Sequence, residues 1–390
     1  MSRPPSAGGL RILVSGRIGS TPYQGGATWA VLQYLLGLRS IGHDVWFVEQ
    51  LAAEDVVPFV PHRAGSVNAA YCAEVLTRHG FGGRWSLLGP TCDRSAGLDR
   101  AALGRTDWDV HVNLSGCLRL PELTSRVPVR IYVDLDPGFT QIWHDVDGHD
   151  LGFDGHTFFA TVGAGVGTPT CTVPVGATTW HHLLPPVFLD AWATDTPPSL
   201  AAMTTVGNWR SYGSVTWQGE YLGQRAHSFR SFAGLPGMTA VPLAPALAID
   251  AAEVKDLALL RRCGWDLLDP SDVASTPDDY RTFVRASSGE LSIAKSGYVR
   301  CRSGWFSDRS ACYLAAGRPV VAQDTGFGTA LPVGDGLLAF TTPEEAADAL
   351  DRVAADPAHH AAAARALAID HLDARVVLDD LLVSAGAGNA

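Results

Sequence analysis

The stretch "LRILVSGRIGSTPYQGGATWAVLQYLLGLRSIGHDVWFVE", residues 10–49, constrains the fold more than any other. Its first residues read as a short buried strand, and "RIGSTPYQGG" as a glycine-rich loop. The following segment places Trp29, Leu32, Leu35, Leu36 and Leu38 near one side at helical spacing, with Gly42 as the stop. "HDVWFVE" is a second apolar strand. A strand, a helix and a strand in this order form a parallel pair joined by a crossover, so the chain must build a sheet covered by helices.

The same grammar continues. "DVHVNLSG" (109–116), "VRIYVDLD" (129–136) and "HTFFATVG" (156–163) are strand-like and end in small or acidic residues. The carboxyl ends of parallel strands face the ligand crevice of an open α/β sheet. "PPVFLDAWATDTPPSL" (185–200) holds four prolines and reads as an extended connector. A second α/β pattern then starts at "MTTVGNWRSYG" and runs through a helix near 251–263 and the strands "GELSIAK" and "GLLAF". The organisation expected is an N-terminal domain over 1–190, a C-terminal domain over 200–375 and a C-terminal tail over 376–390; "HHAAAARALAIDHLDARVVLDDLL" (359–382) reads as a final helix, and the small residues after it as loose. "QIWHDVDGHDLGFDGH" reads as an irregular acidic loop. Its His144, Asp145, Asp147, His149, Asp150, Asp154 and His156 match neither a calcium loop nor a zinc helix, so no metal is expected.

Charge excludes several classes. The chain carries 29 basic and 40 acidic residues, a net charge of −11. A non-specific nucleic-acid binder needs the opposite balance, and no nucleic-acid partner is expected. No run reaches the roughly 20 apolar residues that span a bilayer, so no membrane insertion is expected. The N-terminus lacks a secretory signal pattern, and the scattered cysteines contain no CxxC pair; both fit a cytoplasmic protein.

The sharpest local signal is "GWFSDRSACYLAAGRPVVAQDTG", 304–326. Ser307 or Asp308 caps a short helix, Gly317 ends it, and Pro319 opens the next strand. The helix start and the end of "PVVAQ", with Thr325 and Gly326, converge on one sheet edge. Arg309 is poorly placed for the helix dipole, which suggests that it faces an anion.

"YLAAGRPVVAQDTG" resembles the "EAMACGTPVVASDVGG" segment of GT-B glycosyltransferases. "GLLAFTTPEEAADAL" resembles the segment that follows it there. The resemblance implies two Rossmann-like domains with parallel sheets facing a central cleft. It implies a glycosyltransferase that moves a sugar from a nucleotide-diphosphate sugar to a small-molecule or glycan acceptor, with no other cofactor and no metal. Gly304 and Cys312 stand where many retaining members carry two donor-binding glutamates, and Asp308 is the nearby carboxylate that can replace one. The alternatives are a nucleotide-sugar epimerase and a non-catalytic sugar-nucleotide-binding protein of the same fold.

The donor-binding candidates are Arg210, Lys295, Ser307, Asp308, Arg309, Thr325 and Gly326. Lysine occurs only at 255 and 295, and Lys295 ends a strand, where a compact charge suits a phosphate. Gly16, Gly19, Gly25 and Gly26 are the candidates for the acceptor side of the cleft. Asp136, at a strand end, and His156 are the candidates for the catalytic base.

Overall fold

The computed structural model describes residues 9–56, 66–89 and 93–387. The first sheet contains β1 (Arg11–Ser15), β2 (Asp44–Gln50), β3 (Trp85–Leu88), β4 (Asp93–Ala96), β5 (Val110–Leu114), β6 (Val129–Asp134), β7 (Phe158–Thr161) and β8 (His181–His182). Its order is β4-β3-β2-β1-β5-β6-β7-β8, and every pair except β3–β4 is parallel. After β9 (Leu200–Asn208) comes a small hairpin of β10 (Val215–Trp217) and β11 (Glu220–Leu222). The second sheet adds β12 (Leu243–Ala248), β13 (Ser287–Ser292), β14 (Val320–Gln323) and β15 (Leu337–Phe340). It is fully parallel, in the order β12-β9-β13-β14-β15. Two doubly wound sheets of this kind are the GT-B architecture.

The expected helix after the first loop spans Gly25–Ser40 and the stop falls at Gly42, whose φ of 95° only glycine adopts freely. This helix is buried along most of its length because it lies between the two domains. One continuous apolar cluster joins Ile12, Trp29, Leu32 and Leu35 to Tyr280, Phe306, Cys312, Leu314 and Leu378. The domains are therefore packed on each other through a shared core.

The final helix expected over 359–382 is two helices, Pro357–His371 and Ala374–Ser384, and the tail boundary at 376 falls inside the second, which the Asp373 side chain caps. This second helix packs on the Gly25–Ser40 helix so closely that a Cβ at Gly37 would sit 2.6 Å from Leu378 and 2.7 Å from Ala374. The proline-rich connector is anchored by backbone hydrogen bonds. The Val187 N–H donates to Leu372 O (2.8 Å), the Phe188 N–H to Gln33 Oε1 (2.7 Å), and Trp192 is fully buried. Within the segment read as an irregular loop, Phe139–Asp145 is helical, held at its start by the Gln141 side chain.

Candidate functional site

The carboxyl ends of the two sheets face each other. β6 delivers Asp136 from one side and β13 delivers Lys295 from the other, and the Lys295 ammonium donates to Asp136 Oδ1 at 2.9 Å. The hydroxyls of Tyr212 and Tyr298 donate to the same oxygen. Lys295 Nζ also lies 3.8 Å from the Tyr212 ring centre and 5.2 Å from that of Tyr298, within cation–π range. Burial alone would raise the Asp136 carboxyl. Lys295 and the two phenols outweigh it and hold the acid below its usual range. Burial pushes Lys295 down, against the pull of Asp136. A carboxylate so stabilised is a weak proton acceptor. In this arrangement Asp136 ties the two domains together and is paired, where the strand-end position had suggested a free catalytic base.

Arg309 does not face an anion from outside. It lies in the interior, where its Nε donates to Glu290 Oε1, Nη1 to Val206 O (3.0 Å) and Nη2 to Ser292 Oγ (3.0 Å). Glu290 is 0% exposed. Burial would lower the Arg309 pKa, but the partnership with Glu290 raises it. The charge that seemed misplaced on the helix is thus neutralised from β13. The Ser307 hydroxyl accepts from the Arg309 N–H (3.2 Å) and acts as the helix cap. Asp308, the first helical residue, is exposed. Thr325 and Gly326 brace the loop before this helix: Thr325 Oγ1 donates to Trp305 O (2.6 Å), and Thr325 O accepts from the Gly304 N–H (2.8 Å). The Gly326 N–H is taken by Asp324 Oδ1 (2.8 Å). Arg210 is exposed and paired with Glu253.

The residue that the sequence did not single out is Arg225, the first residue of the Arg225–Ser231 helix. Its side chain lies against Gly207 at the end of β9, where a Cβ would collide with the guanidinium. The residue is 6% exposed, yet Nε and Nη1 have no hydrogen-bond partner. Burial, reinforced by repulsion from Arg309, pushes its pKa down to about 9. Glu290, Tyr298, Asp308 and Lys295 lie close enough to act on it electrostatically. A buried cation without a partner is costly. Arg225 lies beside Lys295, so two cations from the second domain stand together at this edge.

The N-terminal loop is already occupied. Glu49, from the end of β2, accepts the N–H groups of Ile18 (2.9 Å), Gly19 (2.6 Å) and Ser20 (2.7 Å). The nest that could hold a phosphate holds this carboxylate instead. Gly16 packs on Val31 and Leu114. The Gly25 N–H donates to Ala274 O (2.8 Å), Gly26 faces the Tyr280 ring, and Trp29 Nε1 donates to Pro277 O (2.7 Å). The four glycines therefore serve packing and interdomain contact in this structure. His156 lies just ahead of β7. It bonds to Asn113 Nδ2 (3.2 Å) and Phe153 O (3.1 Å) and stacks on His111. Burial lowers its pKa, and it stands apart from Asp136's cluster as a piece of internal packing.

The cleft is bridged where the two glutamates of many retaining members would act. Gly163 and Trp305 form an antiparallel bridge, the Gly165 N–H donates to Ser303 O (2.9 Å), and the Ala164 N–H donates to Gly304 O (3.3 Å). Gly304 has a φ of 72°, and a Cβ there would strike Gly165. Cys312 is buried and accepts from Gln33 Nε2 (3.4 Å) of the interdomain helix. Among the described residues no three His, Cys, Asp or Glu side chains converge as metal ligands, and no helix is long and apolar enough to cross a membrane.

No protein-family model matches the sequence, and no curated protein is similar to it at the sequence level. The fold is found among solved structures. HepE of Anabaena, in complex with UDP and glucose, superposes with a TM-score of 0.56 at 11% identity, covering 97% of this chain and 100% of that one. Sucrose-phosphate synthase of Thermosynechococcus elongatus gives 0.55 at 12% identity, with 97% and 99% coverage. An α-glucosyltransferase in complex with UDP-glucose and DNA containing an abasic site gives 0.55 at 11%, with 97% and 100% coverage. The chain thus has the GT-B fold of nucleotide-sugar glycosyltransferases over nearly its whole length.

Proposed function

We propose that the protein is a glycosyltransferase whose donor is a nucleoside-diphosphate sugar, with the diphosphate held between Arg225 and Lys295. The unpartnered Arg225 guanidinium carries this reading. It lies at the carboxyl edge of the second sheet, beside the one lysine of the cleft, and has two buried N–H donors to satisfy. Exposed Asp308, close to Arg225, is available for the ribose hydroxyls. The chemistry is stabilisation of the departing diphosphate by two fixed cations, which needs no metal or further cofactor. Binding draws Lys295 from Asp136 toward the phosphates, so donor entry loosens one tie between the domains. The acceptor is a small molecule or a glycan; the structural neighbours include one bound to DNA, so the fold leaves the acceptor class open. The cytoplasm, where sugar nucleotides are made, suits the scattered thiols.

A second reading, a sugar-nucleotide-binding protein without turnover, is favoured by Gly304 and Cys312. Neither supplies a carboxylate, and the Gly304 loop is tied to Gly165 and Ala164. A thermal-shift panel of UDP, GDP and ADP and their sugars tests both. A ligand at 100 times its Kd stabilises the fold by about 2.7 kcal/mol. Sugar release or transfer from the stabilising donor supports the first reading, and stabilisation without turnover the second. Interconversion of the donor sugar without an acceptor would instead make the protein an epimerase. The absence of any nucleotide effect would dismiss all three.

A further inference from the structure

A second interdomain contact lies beside the Asp136–Lys295 pair. Phe139, Ile142, Cys171 and Val173 of the first domain form one buried cluster with Val215, Leu222, Tyr298 and Cys301 of the second. Within it the Cys171 and Cys301 side chains lie close enough to act on each other, and the Cys301 thiol donates to Tyr298 O (3.9 Å). Each is held by its own domain. The Cys171 N–H donates to Thr168 O (3.2 Å) at the end of the segment that bridges to Ser303 and Gly304. Cys301 closes the Ser296–Arg300 helix, its N–H donating to Gly297 O (3.1 Å). Gly138 makes room for the Cys301 sulfur: a Cβ there would lie 3.0 Å from it. None of the other described cysteines has a thiol partner of this kind.

We propose that Cys171 and Cys301 form a disulfide when the protein meets a peroxide, and that this bond fastens the two domains in the closed arrangement. Cys171 is the sulfur that reacts first. It keeps the greater exposure, 9% against 2% for Cys301. The pairing with Cys301 also holds the Cys171 thiol below its usual pKa, while the same pairing and burial raise Cys301. The Cys171 thiolate attacks one peroxide oxygen. The O–O bond breaks, a proton from solvent completes one water, and Cys171 becomes a sulfenic acid. The Cys301 sulfur then attacks the Cys171 sulfur. The S–S bond forms, the S–O bond breaks, and hydroxide leaves with the Cys301 proton as a second water. Two thiols are oxidised and one peroxide is reduced.

This proposal stands apart from the donor reading, since it needs no nucleotide. The purified full chain is treated with hydrogen peroxide, free thiols are blocked with a maleimide, and the digest is read by mass spectrometry. A Cys171–Cys301 cross-linked peptide is expected, lost on treatment with dithiothreitol and absent from Cys171→Ser and from Cys301→Ser. Either serine variant suffices as the control, chosen by a native circular dichroism spectrum. Amide hydrogen exchange reads the fastening: exchange at Gly165 and Trp305 should slow at least tenfold in the oxidised wild type and stay unchanged in the variant. Recovery of both cysteines alkylated, or of Cys171 as a sulfinic acid beside an alkylated Cys301, would overturn the disulfide. A cross-link that leaves exchange unchanged would overturn the fastening.

Discussion

Asp136 and Lys295 come from strand ends of opposite domains and meet at 2.9 Å, with Tyr212 and Tyr298 donating to the same carboxylate oxygen. A carboxylate from the expected acceptor side thus occupies the lysine expected to bind donor. Lys295→Met should weaken the domain interface by about 1.5–3 kcal/mol, the scale of a charged hydrogen bond. The lower end applies, since Asp136 remains 34% exposed. Urea unfolding of the variant beside the wild type measures this; an unchanged midpoint would mean the pair contributes nothing net.

The same contact has a pH signature. The folded state holds the Asp136 carboxyl below its unfolded value of roughly 3.9, so the unfolded chain binds the proton more readily. The stabilisation is complete above that unfolded pKa and is lost as pH falls through the folded one. Wild type and Asp136→Asn should therefore differ in melting temperature by a constant amount from about pH 5 to 7, and the difference should shrink below about pH 4. A gap that widens in acid would contradict this sign.

Arg225 makes an opposite pair of demands on one side chain. Arg225→Met keeps the aliphatic stem but removes a buried charge with two unpartnered donors. Nucleoside-diphosphate affinity should fall about ten- to a hundredfold, through loss of roughly 1.5–3 kcal/mol. The ligand-free variant should melt at or above the wild-type temperature, because removing an uncompensated buried charge relieves a desolvation cost. Calorimetric titration and a melting curve together decide it. A variant that binds normally and melts lower would make Arg225 a structural residue.

Arg309 should behave in the reverse way. Glu290 is fully buried, and Arg309→Ala leaves it without its cation. Breaking a buried pair by removing one partner costs about 3–5 kcal/mol. The double variant Arg309→Met, Glu290→Leu should recover much of that loss. Equal destabilisation in the single and double variants, measured by denaturant unfolding, would show that the two side chains do not act as a pair.

These contrasts show what the sequence could and could not convey. Elements set by local chemistry were legible: the Gly25–Ser40 helix with its Gly42 stop, the Ser307 cap, and Gly317 at positive φ. Arg309 was read correctly as a cation against its helix dipole. Its neutralising partner, Glu290, lies in "ELSIAK", and only the packing of that strand against the helix brings the two together. Arg225 sits in "GQRAHSFRS" with no periodic or motif signal. The clue was Gly207 on β9, whose missing side chain makes room for a guanidinium three elements later. Glu49 ends the strand "HDVWFVE", but no local signal says that it fills the nest of the glycine-rich loop. Propensity and capping are local, whereas charge pairing across domains is not.

Gly304 gives the most direct test of the closed cleft. Its φ of 72° and its contact with Gly165 and Ala164 exclude any side chain while the 303–305 loop stays on the first domain. Gly304→Ala incurs about 1–2 kcal/mol for the left-handed backbone. It also forces the loop off Gly165, breaking the Gly165–Ser303 hydrogen bond and the Gly163–Trp305 bridge. Gly42→Ala is the control: it has a φ of 95° and nothing within 4 Å of the added Cβ, so it carries the backbone strain alone. In small-angle scattering the Gly304 variant should show a larger radius of gyration than wild type, and the Gly42 variant should not. Both should lose stability, the Gly304 variant more. If the two variants scatter alike and lose equal stability, the 303–305 bridge does not hold the domains closed.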